Sequence, residues 1–176
     1  MKTIDDMLRE VAQIKGIERG VPQAAQSAAT DIAMRPTLCL SLAKEITYCI
    51  EKAAESMGLY VVTAITDAGG RLILLEAMDN SLIASITAAQ EKAYTAVALK
   101  MPTHEALKAS RGGAFDGLTN GGGILMLGGG YPIECEGAVI GGIGVSGGTK
   151  DQDEALARAG VLYANERLNN IDRKRG

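Results

Sequence analysis

The stretch Tyr60-Val61-Val62-Thr63-Ala64-Ile65-Thr66-Asp67-Ala68-Gly69-Gly70-Arg71-Leu72-Ile73-Leu74-Leu75-Glu76-Ala77 reads as two strands and the turn between them. Its first run, Tyr60 to Thr66, is apolar and rich in β-branched residues, which suit a pleated, half-buried surface. Asp67-Ala68-Gly69-Gly70 is a short Asp/Gly turn, and Arg71 to Ala77 is the returning strand. So short a connection permits only antiparallel pairing, because a parallel neighbour needs a crossover of about a dozen residues or more.

On either side of this hairpin the hydrophobic period changes from two to three-and-four. Upstream, Leu38, Leu42, Ile46, Cys49, Ile50, Ala53 and Met57 mark a long helix over Thr37 to Met57, ended by Gly58. Downstream, a second long helix spans Ser81 to Leu99 and stops at Met101-Pro102, and a short helical piece begins after Thr103. A glycine-rich stretch then carries three candidate strands, Gly123 to Leu127, Tyr131 to Cys135 and Ala138 to Val145, the last two joined by Glu136-Gly137 as a second hairpin. A final helix runs from Asp151 to Leu168. The order is helix, two strands, helix, three strands, helix, which predicts an α+β layered domain with a five-stranded antiparallel sheet and argues against a doubly wound nucleotide fold.

The chain opens with a different kind of segment. Thr3 to Ile17 has Ile4, Met7, Leu8, Val11, Ile14 and Ile17 along one stripe and charges opposite, the pattern of an amphipathic helix. The expected division is therefore an amphipathic helix over residues 1–20, a linker over 21–36 and the folded domain over 37–170.

Composition narrows the functional classes. The 176 residues are 47% hydrophobic and 22% charged, with no Trp and one Phe, so the core is aliphatic. Of 22 glycines, 15 lie between Gly112 and Gly148, a concentration that signals tight turns or close backbone approach. A net charge of −3 argues against nucleic acid, which needs a basic face. No apolar run approaches the ~20 residues of a membrane helix, and Asp5 and Asp6 stand where a secretory signal carries positive charge. Cys39, Cys49 and Cys135 form no CxxC and read as reduced packing residues of a cytoplasmic protein.

One constellation is distinctive. Gly129-Gly130-Tyr131-Pro132-Ile133, Gly137, Gly141-Gly142-Ile143-Gly144-Val145-Ser146-Gly147-Gly148, Gln152-Asp153-Glu154 and Ala157 together resemble the GlcG/HbpS-like family, which includes the C-terminal domain of PduO propanediol-utilisation proteins. Asp67 to Leu72, Met78-Asp79, Lys92 to Ala96 and Pro102-Thr103 fit as well. The resemblance covers Thr37 to Leu168. It implies a profilin-like α/β/α arrangement, homo-oligomers from dimer to octamer, and heme or, alternatively, a corrinoid-related ligand at a subunit interface. It also makes the bacterial microcompartment lumen a second candidate location, with residues 1–20 docking to shell or cargo; packing of that helix on its own domain or a neighbour's is the other reading.

His104 is the only histidine. At the start of a short helix it reads either as a solvated surface residue or as a ligand. A helix N-terminus disfavours the imidazolium and so favours the neutral ring that metals require. Under the heme expectation His104 is the metal-ligating candidate, with Thr103 beside it, and two such residues can face each other across a twofold axis of an oligomer. The helix from Thr37 to Met57 holds no His, so a relative that ligates iron from there has no counterpart in this chain. Met57, Met78, Met101 and Cys135 are weaker partners that also read as core filling.

Arg71 and Lys92 lie within the family-like motifs and can meet propionates, although a lysine on an amphipathic helix also reads as snorkelling. The run Gly141 to Gly148 leads into a helix, so its N–H groups, around Ser146 and Gly147, can cradle an anion. Its alternate glycines read equally as the place where a helix or a neighbouring subunit approaches the sheet. Ser146 has no visible His/Asp partner, and no residue reads as catalytic. Asp67, Asp79 and Asp153 are explained by turns and caps. Three functions stand: an accessory heme-binding protein, a small-metabolite enzyme using a glycine-lined cleft, or a ligand-free scaffold.

Overall fold

The computed structural model of the chain describes residues 35–172. The helix expected over residues 1–20, and all but the last two residues of the linker, lie outside the described residues. From there the elements run α1 (Leu40–Ser56), β1 (Val62–Asp67), β2 (Leu72–Ala77), α2 (Ile83–Leu99), α3 (Thr103–Ser110), a 3-10 turn (Leu118–Gly121), β3 (Gly130–Cys135), β4 (Ala138–Ser146) and α4 (Lys150–Asp172).

The strands form one antiparallel sheet in the order β2-β1-β4-β3. Both expected hairpins are present. In the first, Asp67 Oδ1 accepts from the N–H groups of Gly69 and Arg71 at 2.8 and 2.9 Å, and Gly70 takes φ +75°. In the second, Glu136 and Gly137 both have positive φ, the pair of left-handed residues whose twist matches the flanking strands. Pro132 is tolerated because β3 is an edge strand.

The sheet has four strands, not the five expected, because Gly123 to Leu127 does not join it. That run is short and flanked by glycines, and side chains satisfy its backbone in place of a strand ladder. Thr95 Oγ1 accepts from Leu125 N at 2.9 Å, and Thr103 Oγ1 donates to the Leu127 carbonyl at 2.5 Å.

The alternation of β1 and β4 assigns the two faces. Ile65, Ile143 and Val145 point into the larger core with Ile46 and Ile50 of α1 and Leu156 and Ala157 of α4. Outside that core, Glu45 of α1 accepts two hydrogen bonds from Arg167 and one from Tyr163 of α4, closing the helix pair. Val62 and Ala64 face the other way, onto Ala89 and Ala93 of α2. On this second face β4 presents Gly142 and Gly144. A Cβ on Gly142 would lie 2.6 Å from the Ala93 carbonyl oxygen, and one on Gly144 would fall on that of Ala89. The alternate glycines thus serve close approach, and the element that approaches is α2. Cys39, expected to pack, is exposed, and its neighbour Leu38 takes the buried place.

Gly144→Ala therefore forces α2 off the sheet. The new methyl meets rigid helix backbone at both Ala89 and Ala93, so the loss should reach the upper end of the overpacking range, about 3 kcal/mol, in urea unfolding. A loss below about 1 kcal/mol would show that α2 does not rest on bare β4 backbone.

Candidate functional site

The deepest charge in the described fold is Lys92. It is fully buried on the sheet-facing side of α2, and its Nζ donates to the Val145 carbonyl at 2.8 Å and to Asp153 Oδ2 at 2.7 Å. Asp153 Oδ1 in turn accepts from Gly148 N at 2.7 Å. Desolvation pushes the Lys92 ammonium below its ordinary value, against the upward pull of Asp153. Lys92 neither snorkels nor stands free: its ammonium already holds an anion inside the fold. Gly129, at φ +111°, makes room for the pair, since a Cβ there would lie 3.0 Å from Nζ.

The Gly-Ser run ends at the same place. Thr149 N donates to Gln152 Oε1, and Gln152 N to Thr149 Oγ1, a reciprocal cap that starts α4. Together with Asp153 on Gly148 N, these bonds occupy N–H groups that the sequence offered to an anion. Ser146 is buried and donates to Ser85 Oγ at 3.3 Å, while Gly147 presses on the backbone of Tyr60 and Val61.

A cavity of about 400 Å³ opens at the other end of this capping region, lined by His104, Leu107, Lys108, Arg111, Lys150 and Glu154 among others. Pro102 fixes where α3 starts. Thr103, its first residue, is buried and accepts from Gly130 N at 3.0 Å while donating to Leu127, which ties the helix to β3. His104 thereby projects beside β3. Its ring lies 6.0 Å from that of Tyr131, and its Nδ1 is 3.2 Å from Glu154 Oε1. The same Glu154 oxygen accepts from the Tyr131 hydroxyl at 3.2 Å. Burial, then the Glu154 charge, pushes the Tyr131 phenol up to about 12. The imidazole is one-quarter exposed, so it borders both the core and the cavity.

The predicted residues are thus partly gathered. Thr103 and His104 meet at one end of the sheet, near the β3 edge. Arg71 sits exposed at the turn leading into β2, which is the opposite edge. Lys92, Ser146 and Gly147 serve packing within the fold. Sequence reading missed the acid and the cations: Glu154, Lys108, Arg111 and Lys150. Glu154 was visible only as a member of the Gln152-Asp153-Glu154 motif, and its orientation toward His104 depends on where α4 begins. Among the described residues no group of three or more His, Cys, Asp or Glu side chains is placed to hold a bare metal ion. Nor, among them, is any helix long and apolar enough to cross a membrane.

The family described as haem degrading protein HbpS-like matches residues 38–162. An uncharacterised 15.0 kDa protein of Citrobacter freundii, from the dhaT-dhaS intergenic region, is 39% identical over 128 residues, covering 71% of this chain and 90% of that protein. The corrinoid adenosyltransferase PduO of the same organism is 35% identical over 143 residues, 78% of this chain but 43% of PduO. The chain therefore spans less than half of that enzyme. A crystal structure of a PduOC–heme complex superposes with a TM-score of 0.69 at 33% identity, covering 72% of this chain and 94% of that one.

Two outcomes follow from the site geometry. Lys92→Met strands the Asp153 carboxylate, and leaving a buried charge unpaired should cost about 3–5 kcal/mol in denaturant unfolding; a loss under about 1 kcal/mol would mean that water reaches the pair. Tyr131 retains its proton in the native state up to about pH 12, whereas the unfolded phenol loses it near pH 10. Between those values the native state binds more protons, so its contribution to stability, complete below about pH 10, falls as pH rises through about 12. Ultraviolet titration should show a high-pH phenolate component that Tyr131→Phe removes, and an unchanged titration in the variant would refute the assignment.

Proposed function

Since the chain belongs to the haem degrading protein HbpS-like family, we propose that it is an accessory heme-binding protein in which His104 supplies the axial imidazole. The observation that carries this reading is a single one: the sole imidazole of the sequence borders a cavity flanked by Lys108, Arg111 and Lys150. An imidazole and a set of cations are the donors that heme iron and heme carboxylates require. The residues present fit the group in a second respect: His104 Nδ1 is buried 3.2 Å from Glu154 Oε1 with no hydrogen bond completed among the described residues, so Nε2 is the nitrogen left for a metal. Bound heme would supply a redox-active iron; the chain supplies the nitrogen, the cations, and Leu107 as apolar wall.

The heme seen with a PduOC relative supports this ligand, and the corrinoid chemistry in the name of PduO supports a corrinoid-related one as the second choice. Assembly into a homo-oligomer belongs to the same proposal. Its support is the apolar surface at the start of α2, where Leu82 and Ile83 are 65% and 86% exposed. A microcompartment role rests on the PduO likeness and on the stripe Ile4, Leu8, Val11 and Ile14, and deleting residues 1–20 should then abolish recruitment to the compartment while leaving the fold intact.

Hemin titration of wild type and His104→Ala tests the central claim. The wild type should give saturable binding with a low-spin Soret band, and the variant should lose that band. Identical spectra in both would remove His104 as ligand, and no saturable binding in either would remove heme; cobalamin titrated into the same samples reports on the alternative. Light scattering on those samples should show an assembly, and a strict monomer at micromolar concentration would remove that part.

A further inference from the structure

We propose that Glu154, steadied by Tyr131, is the positioning residue that fixes the tautomer of His104 and presents Nε2 to the cavity. This deepens the heme reading and rests on it only for the identity of what Nε2 meets.

Three observations converge. His104 Nδ1 is buried and has no hydrogen bond completed within the described residues, yet Glu154 Oε1 lies 3.2 Å from it. A neutral imidazole carries one proton on one of its two nitrogens, and a buried nitrogen beside a carboxylate is where that proton is best placed. Among the described residues the only other carboxylate within ion-pair reach, Glu105 Oε1, is 3.9 Å from Nε2 and belongs to an exposed side chain, so it competes weakly for the proton. Glu154 is itself held. Its Oε1 accepts from the Tyr131 hydroxyl at 3.2 Å, and the missing side chain of Gly128 leaves room for its Oε2, which a Cβ there would approach to 3.1 Å.

The arrangement spans three elements. The imidazole comes from α3, the carboxylate from α4 just past its first turn and the phenol from the edge strand β3. With the proton on Nδ1, the lone pair of Nε2 is left for a ligand that needs an electron-pair donor, and the carboxylate raises its basicity. The 3.2 Å approach is off the line of a finished hydrogen bond. Catalytic and ligand-holding hydrogen bonds are often long or poorly aligned before the ligand binds and tighten once it does.

Because the chain contains one histidine, its imidazole nitrogens are the only such pair in a nitrogen-15 spectrum. Long-range proton–nitrogen correlation on the unliganded full chain, recorded on the neutral ring, should show Nδ1 protonated and Nε2 bare. Glu154→Ala should shift the population toward the Nε2–H form that free imidazole side chains favour. Glu154→Gln, which keeps an acceptor oxygen, should retain most of the Nδ1–H form. Hemin affinity should fall by roughly 10- to 100-fold in Glu154→Ala and less in Tyr131→Phe. An Nε2–H ring in the wild type, or a tautomer indifferent to Glu154→Ala, would overturn the proposal. The Nδ1–H form with no hemin binding would leave Glu154 as the positioning residue and bring down the heme reading instead.

Discussion

A lysine ammonium with no access to water ties the three layers together. Lys92 leaves α2 on one side of the sheet and finds Asp153 at the start of α4 on the other, with the Val145 carbonyl near the end of β4 bonded to the same ammonium. Such a pair is a poor source of net stability, because desolvation offsets much of the attraction, but it is intolerant of misplacement. Each partner left alone is a buried charge, so α2, the end of β4 and the cap of α4 reach their positions together. The cavity bordered by His104 inherits this constraint, since Glu154 is the next residue after Asp153 and Lys150 opens the same helix.

Steric economy at β4 works with the charge. The glycines at 142 and 144 put helix backbone against strand backbone, so α2 is located by contact with atoms that no side-chain rotation can move. On the opposite face Ile143 and Val145 do the ordinary work of filling a core. One strand therefore sets two different separations, a close one toward α2 and a wide one toward α1 and α4, and the alternation of Gly with β-branched residues is what encodes both.

Much of this was legible in the residues. Two tight Asp/Gly and Glu/Gly turns announced the antiparallel sheet, and the three- and four-residue spacing announced the helices, whose ends moved by a few residues only. Gly123 to Leu127 misled because an apolar run between glycines has strand composition, and nothing in it reveals that Thr95 and Thr103, distant in the sequence, take its backbone groups. Lys92 misled in the opposite way: a lysine is normally wet, and only the register that brings Asp153 against it permits burial. His104 could be singled out by counting. Its acid could not, because whether Glu154 or Asp153 faces the ring depends on where the reciprocal Thr149–Gln152 cap begins the helix.

The anchoring of α3 through Thr103 divides the cavity wall by entropy. His104 follows directly on a residue whose hydroxyl is bound to two backbone groups of the segment entering β3, so little freedom remains for it to lose when something docks. Lys108 and Arg111 stand at the far end of the same short helix, exposed and running into Gly112 and Gly113, so they retain most of their rotamers. The ring is thus the invariant part of the wall and the cations the adaptable part. A cavity organised this way discriminates sharply for what its nitrogen touches, and is lenient about how far away a ligand carries its negative groups.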